Sequence, residues 1–322
     1  DSSKLPTGEL FRATDTKTDK PLDVLLVDKA VFQSPLDMER ARRELRQLQK
    51  VDCPSIVKVI DHGKGDDERL YVVMERVDGP RLDERIAAAP LSLAEAQRVV
   101  RGVGQGLAEA QKMGVIHRDI APHNVILTED GAIKVRGFGV AAPVKRNVFG
   151  TPEFISPEQA AGRPVDQRSN IYSLGCLMYY VLVGQPPFEA ADMDALLEQH
   201  QKQEAESPTK RRPDLELPPR AEALILKALA KSSSRRHLTL RQFLREVESL
   251  AGVSSAAEPA PGDKPLSFET PLHGVTALTG GQAPPSEAPP SEAPPSGAPA
   301  SAEPAPPVAS RPAADMAAPT VV

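Results

Sequence analysis

The sequence has no excess of basic charge. Its 39 lysines and arginines are outnumbered by 44 aspartates and glutamates, for a net charge of −5. That excludes a nucleic-acid binder that relies on a basic face. Cysteine is scarce: Cys53 and Cys176 stand far apart without metal-ligand spacing, so two reduced, buried thiols of a cytoplasmic protein are expected. Long apolar runs are lacking too. The most apolar, Ile171–Val183, is too short to span a bilayer and predicts a buried core helix. No signal peptide is visible, and the chain begins at Asp1 rather than Met, so a trimmed or incomplete start is expected. With 40% hydrophobic and 26% charged residues in 322, the chain has room for two lobes and an extension.

The informative stretch is His117–Gly139, HRDIAPHNVILTEDGAIKVRGFG. His117, Arg118, Asp119 and Asn124 fill every fixed position of H-R-D-x-x-x-x-N. The apolar runs Val125–Leu127 and Ile133–Val135, on either side of Asp130-Gly131, predict a hairpin. Gly137-Phe138-Gly139 then stands where the same motif set has D-F-G. Further on, Gly150–Glu158 reads GTPEFISPE. On these residues the chain resembles the eukaryotic-type serine/threonine protein kinases of bacteria, as a degenerate, pseudokinase-like member, over about residues 3–251.

The resemblance implies an α+β, protein kinase-like bilobal fold. A small β-rich N-lobe with one main helix would occupy 1–76 and a larger helical C-lobe 77–251. Locally, Ser34-Pro35 predicts an N-cap for a helix Leu36–Val51, and Pro54–Ile60 and Leu70–Met74 read as strands. Residues 252–322 are rich in proline and alanine, with APPSE-like pentads over Ala283–Ala298. They predict a disordered tail, acting as a spacer or as a proline-motif docking segment.

The family's roles carry over residue by residue. Asp119 would be the catalytic base, flanked by His117 and Arg118, and Asn124 would hold a magnesium ion. Met74 takes the gatekeeper position, and Glu75 to Val77 the hinge whose main chain reads adenine, so ATP stays open as a ligand. Gly8 is the one glycine left in the loop Ser3–Phe11, where glycines would let backbone approach phosphates. Three positions have lost their chemistry. Leu25 replaces the phosphate-gripping lysine (Leu26 if the register slips), with Lys4 and Lys29 as rescue candidates. Ala121 replaces the lysine that steadies the transferring phosphoryl group. Gly137 replaces the aspartate that holds Mg²⁺. Glu44, the partner of the missing lysine, would pair with an arginine or face solvent. Structural positions persist: Phe138, His117, Leu48 and Val59 as a spine between the lobes, Glu158 with Arg236 as an ion pair, and Asn170 as a brace for the catalytic loop. Val140–Phe149 contains no serine, threonine or tyrosine, so phosphorylation there cannot engage Arg118.

One lost preorganised electrostatic group costs about 2.7–4 kcal/mol, and three sum naively to roughly 8–12 kcal/mol. Such losses are not additive, yet half that sum slows transfer about a thousandfold. The expectation is therefore a pseudokinase that binds a protein partner, an active kinase among the candidates, or senses nucleotide. The alternative is a weak ATP-dependent serine/threonine kinase using Asp119.

Overall fold

The computed structural model describes residues 2–250; the tail expected over 252–322 lies outside the described residues. The N-terminal part is an antiparallel sheet of β1 (Ser2–Leu5), β2 (Gly8–Thr14), β3 (Pro21–Val27), β4 (Val59–Lys64) and β5 (Leu70–Glu75), in the order β1-β2-β3-β5-β4. Alternation sets its inner face: Leu70, Val72 and Met74 of β5 are buried while Tyr71, Val73 and Glu75 are less so, as a period of two requires. Helix α1 (Pro35–Leu48) lies against this sheet. Ser34 caps it by accepting from the Asp37 amide at 3.2 Å, and Ala41, Glu44, Leu45 and Leu48 form its buried stripe.

One strand assignment needs correction. Residues 54–57 do not join the sheet, which is reached only at Lys58, whose carbonyl accepts from the Glu75 amide at 3.0 Å. Their backbone reaches across to the second lobe instead: the Val57 amide donates to Val135 O at 2.9 Å, and the Val135 amide to Ser55 O at 3.0 Å. Backbone groups leaving one sheet must find partners elsewhere, and here those partners stitch the lobes together.

The C-terminal part comprises α2 (Leu82–Ala88), α3 (Leu93–Lys112), the hairpin β6 (Val125–Leu127) and β7 (Ile133–Val135), the short pair β8 (Pro143–Lys145) and β9 (Val148–Phe149), then α4 (Pro157–Ala160), α5 (Gln167–Val183), α6 (Met193–Lys202), α7 (Pro208–Arg211), α8 (Pro219–Ala228) and α9 (Leu240–Ser249). Helix α5 is apolar nearly all round and buried on nearly every side, as the apolar run predicts. It packs against α3, α8 and α9, and burying each large apolar side chain there contributes roughly 1.5–3 kcal/mol. No helix among the described residues is long and apolar enough to cross a membrane.

Candidate functional site

Between the lobes, the chain turns from β1 to β2 through Pro6-Thr7. Gly8 is required there: a Cβ on it would sit 2.1 Å from Leu26 O. The turn folds inward, burying Leu5 and Thr7, and Thr7 O accepts from the Asp28 amide at 3.0 Å. Strand β3 pairs Leu25 with Leu10 and with Val72 and buries it at 5% exposure, so of Leu25 and Leu26 it is Leu25 that faces the cleft. Neither rescue lysine reaches the cleft. Lys4 is exposed and pairs with Asp28 at 3.0 Å. Lys29 lies in a 3-10 turn beyond the end of β3, so strand spacing does not place it on the face of Leu25. Leu5, Thr7, Leu25, Met74, Asn124 and Gly137 border a gap of about 20 Å³, room for about one water.

The catalytic-loop residues converge below this gap. Asp119 is buried, and its Oδ1 accepts from the Thr151 amide at 2.8 Å and Thr151 Oγ1 at 2.6 Å. Asn124 Nδ2 donates to Asp119 O at 3.0 Å and to Oδ2 at 3.3 Å. His117 is neutral by its partners: Nδ1 accepts from the Asp119 amide, which leaves Nε2–H to donate to Arg136 O at 2.9 Å. Burial drives its pKa down to about 4. Its ring meets Phe138 at 4.3 Å between centroids. Phe138, Leu48 and Val59 belong to one buried core, and His117 is itself buried.

Gly137 has φ +89°, and a Cβ there would lie 3.0 Å from Asn124 Oδ1. The residues present do not fit a magnesium site. Mg²⁺ calls for near-octahedral oxygen ligands including carboxylate, whereas Gly137 offers none and Asp119 is already engaged by Thr151 and Asn124. Among the described residues no cluster of three metal-ligating side chains occurs.

Glu44 takes the arginine option. Arg118, held at φ +67°, donates from Nη1 to Glu44 Oε2 at 2.8 Å and to Ile116 O at 3.1 Å. Both side chains are largely buried, at 19% and 7% exposure. The pair ties α1 to the catalytic loop without a phosphate. Arg236 joins Glu158 through two bonds of 2.8 and 2.9 Å. Burial raises the Glu158 pKa, but the bonds from Arg236 and Ser169 outweigh it and hold the carboxyl below its usual range. Asn170 is buried, but among the described residues no hydrogen bond joins it to the catalytic loop. That brace comes from Gln159, whose Nε2 donates to Arg118 O at 2.7 Å. At the hinge, Glu75 accepts from Lys134 Nζ at 2.5 Å and from the Lys58 amide at 2.9 Å, and Val77 borders the outer cleft.

Several residues of the site were not foreseen. His123 Nε2 stands 3.8 Å from Asp119 Oδ2; burial lowers its pKa, opposed by the Asp119 and Asp83 charges. Asp23 and Arg12 face each other across β2 and β3, and Arg136 directly precedes Gly137. The signal was present: Asp23 lies two residues before Leu25, on the same strand face, and Arg136 adjoins the degenerate triplet. Beneath the catalytic loop runs an open groove of about 460 Å³, where acidic Asp83, Glu153 and Glu189 alternate with Phe154, Tyr180 and Leu196.

A twisted sheet carrying one helix, stitched to a helical lobe that presents a catalytic loop at the junction, defines the protein kinase fold. Residues 6–247 match the protein kinase domain family, and the chain belongs to it, on the bacterial eukaryotic-type serine/threonine branch. It is 34% identical over 258 residues to the probable serine/threonine-protein kinase PknB of Bifidobacterium longum, covering 74% of this chain and 37% of that one. It is 31% identical over 270 residues to the serine/threonine-protein kinase pkn3 of Myxococcus xanthus, covering 79% and 49%. The crystal structure of the Mycobacterium tuberculosis PknI kinase domain superposes with a TM-score of 0.66 at 26% identity, covering 78% of this chain and 93% of that one. The chain thus spans less than half the length of these two curated relatives.

Proposed function

We propose that this protein is a regulatory pseudokinase, a kinase-fold module that engages a protein partner, with an active kinase as the foremost class, and does not transfer phosphate. The observation that carries the reading is the inner cleft. Leu25 and Gly137 both face a gap of about 20 Å³, so the groups that would grip phosphates and metal are missing where the space for them is also missing. The Glu44–Arg118 pair supports the same reading, since it holds α1 in place with no activating phosphate. The open acidic groove under Asp119 fits a basic segment of the partner. A cytoplasmic setting belongs to this proposal.

The test is ATP binding by thermal shift and calorimetry, with and without Mg²⁺, because a ligand selective for the folded state raises its stability by RT ln(1 + [L]/Kd). The expected result is no shift at millimolar ATP, together with activation of a partner kinase that survives Asp119→Asn. A shift indifferent to Mg²⁺ would turn the reading to nucleotide sensing. One observation favours the second reading, a weak serine/threonine kinase: Asp119 is still oriented by Thr151 and Asn124. Phosphate incorporation that requires Mg²⁺ and disappears in Asp119→Asn would establish it.

A further inference from the structure

Outside the closed inner gap, the cleft opens again into a pocket of about 330 Å³ between β1–β3, the hinge at Val77 and Gly79, and Ile126 as floor. That volume suits a small-molecule site, but the lining is charged. Arg81 is already neutralised, bonded to Asp83 at 3.0 and 2.9 Å and within 3.3 Å of Glu84. What remains is Arg12, Arg136 and Asp23, two cations against one carboxylate. Arg136 is 8% exposed; Nη2 donates to His123 O at 3.1 Å, while the buried Nε has no partner. Among the described residues no carboxylate forms an ion pair with Arg136, and a guanidinium this buried is costly without a counter-charge. Adenine, flat and largely apolar on its faces, would desolvate these charges without compensating them. The inner gap of about 20 Å³ leaves no room for a triphosphate.

We propose that this pocket binds a compact anion that also donates hydrogen bonds, a phosphorylated sugar or polyhydroxy carboxylate, with its anionic group on Arg136 and Arg12 and its hydroxyls on Asp23. Arg136 and Arg12 supply the guanidinium charge that suits either anion, and Asp23, directly opposite Arg12 in register, supplies the acceptor. The ligand stops where the inner gap closes.

Thermal shift and calorimetry on the full chain test this with glucose 6-phosphate, gluconate, inorganic phosphate and uncharged glucose at millimolar concentration. A saturable rise with glucose 6-phosphate or gluconate is expected, and which of them acts identifies the phosphate or the carboxylate source. Glucose should do nothing and inorganic phosphate should bind more weakly. Arg136→Leu should abolish the shift, and Arg12→Gln, at the rim and safe for folding, should weaken affinity about tenfold, 1.4 kcal/mol. No saturable shift with either sugar anion overturns the proposal. So does a shift that is unchanged in Arg12→Gln, or one equalled by inorganic phosphate alone. Partner binding through the groove below is scored separately, so neither result decides the pseudokinase reading.

Discussion

Gly137 offers no side chain to a cation and sits in a backbone conformation that favours glycine. Its φ of +89° is one that L-residues adopt at a cost of roughly 1–2 kcal/mol, and a Cβ would press on Asn124 Oδ1. Gly137→Asp should therefore lower stability by about that amount in urea titration and, with Leu25 still in place, restore no Mg²⁺-dependent transfer. Asp23 is perturbed in the other direction. Burial raises its pKa, against the opposing pull of Arg76, Arg136 and Arg12. A carboxyl whose pKa is raised on folding binds its proton more tightly in the folded state, so the protein loses stability as pH rises through that range. Asp23→Asn should raise the melting temperature at neutral pH, and the gain should shrink as pH falls through the raised folded-state value and be gone below the ordinary carboxylate pKa near 3.8. Asp23 was readable in the sequence as a residue of β3, but its lack of a close partner was not, because Arg12, Arg76 and Arg136 come from three other segments.

Among the elements, α1 and the catalytic loop are joined by one ion pair whose removal should be felt by both. Glu44→Ala leaves Arg118 buried at 19% side-chain exposure without its counter-charge, and losing one partner of such a pair typically costs 3–5 kcal/mol. Chemical denaturation should show a loss of about that size, and amide exchange in α1 should accelerate before exchange in α5 does. Glu158→Ala makes the parallel case in the helical lobe, stranding Arg236, whose side chain is fully buried. A loss of about 3–5 kcal/mol is again expected. Because the Glu158 carboxyl is held below its usual range, the wild-type advantage is complete above the ordinary glutamate pKa and fades as pH falls through the folded value. Helix α1 and strand β5 were legible from their periods of hydrophobicity. Residues 54–57 were not: their apolar pattern suits a strand, and only the position of β7 shows that Ser55 and Val57 bond to the other lobe.

Across the whole molecule, contacts between the lobes persist while the side chains at Leu25, Ala121 and Gly137 carry no charge. His117 against Phe138, the Ser55–Val135 contacts and the Lys134–Glu75 bond keep the two lobes in a fixed relation with the inner cleft shut. Opening that cleft should restore room but no chemistry. Leu5→Ala and Leu25→Ala together should enlarge the gap and cost several kcal/mol as paired core truncations, without producing Mg²⁺-dependent ATP binding by calorimetry.

By itself, the sequence determined the fold family, the order of most elements and the lack of a charged side chain at 121 and 137. Each of these is carried by local spacing or by what one side chain can and cannot do. Only the tertiary structure decided which groups meet. Arg118 finds Glu44 from 74 residues away, Lys4 turns outward to Asp28, and Gln159 rather than Asn170 braces the catalytic loop. Leu5 and Thr7 close the inner cleft, and Arg12, Asp23 and Arg136 convert its outer half into a charged pocket. Charge pairing and the filling of space depend on distances between segments remote in the chain, and no periodicity or motif within one segment encodes them.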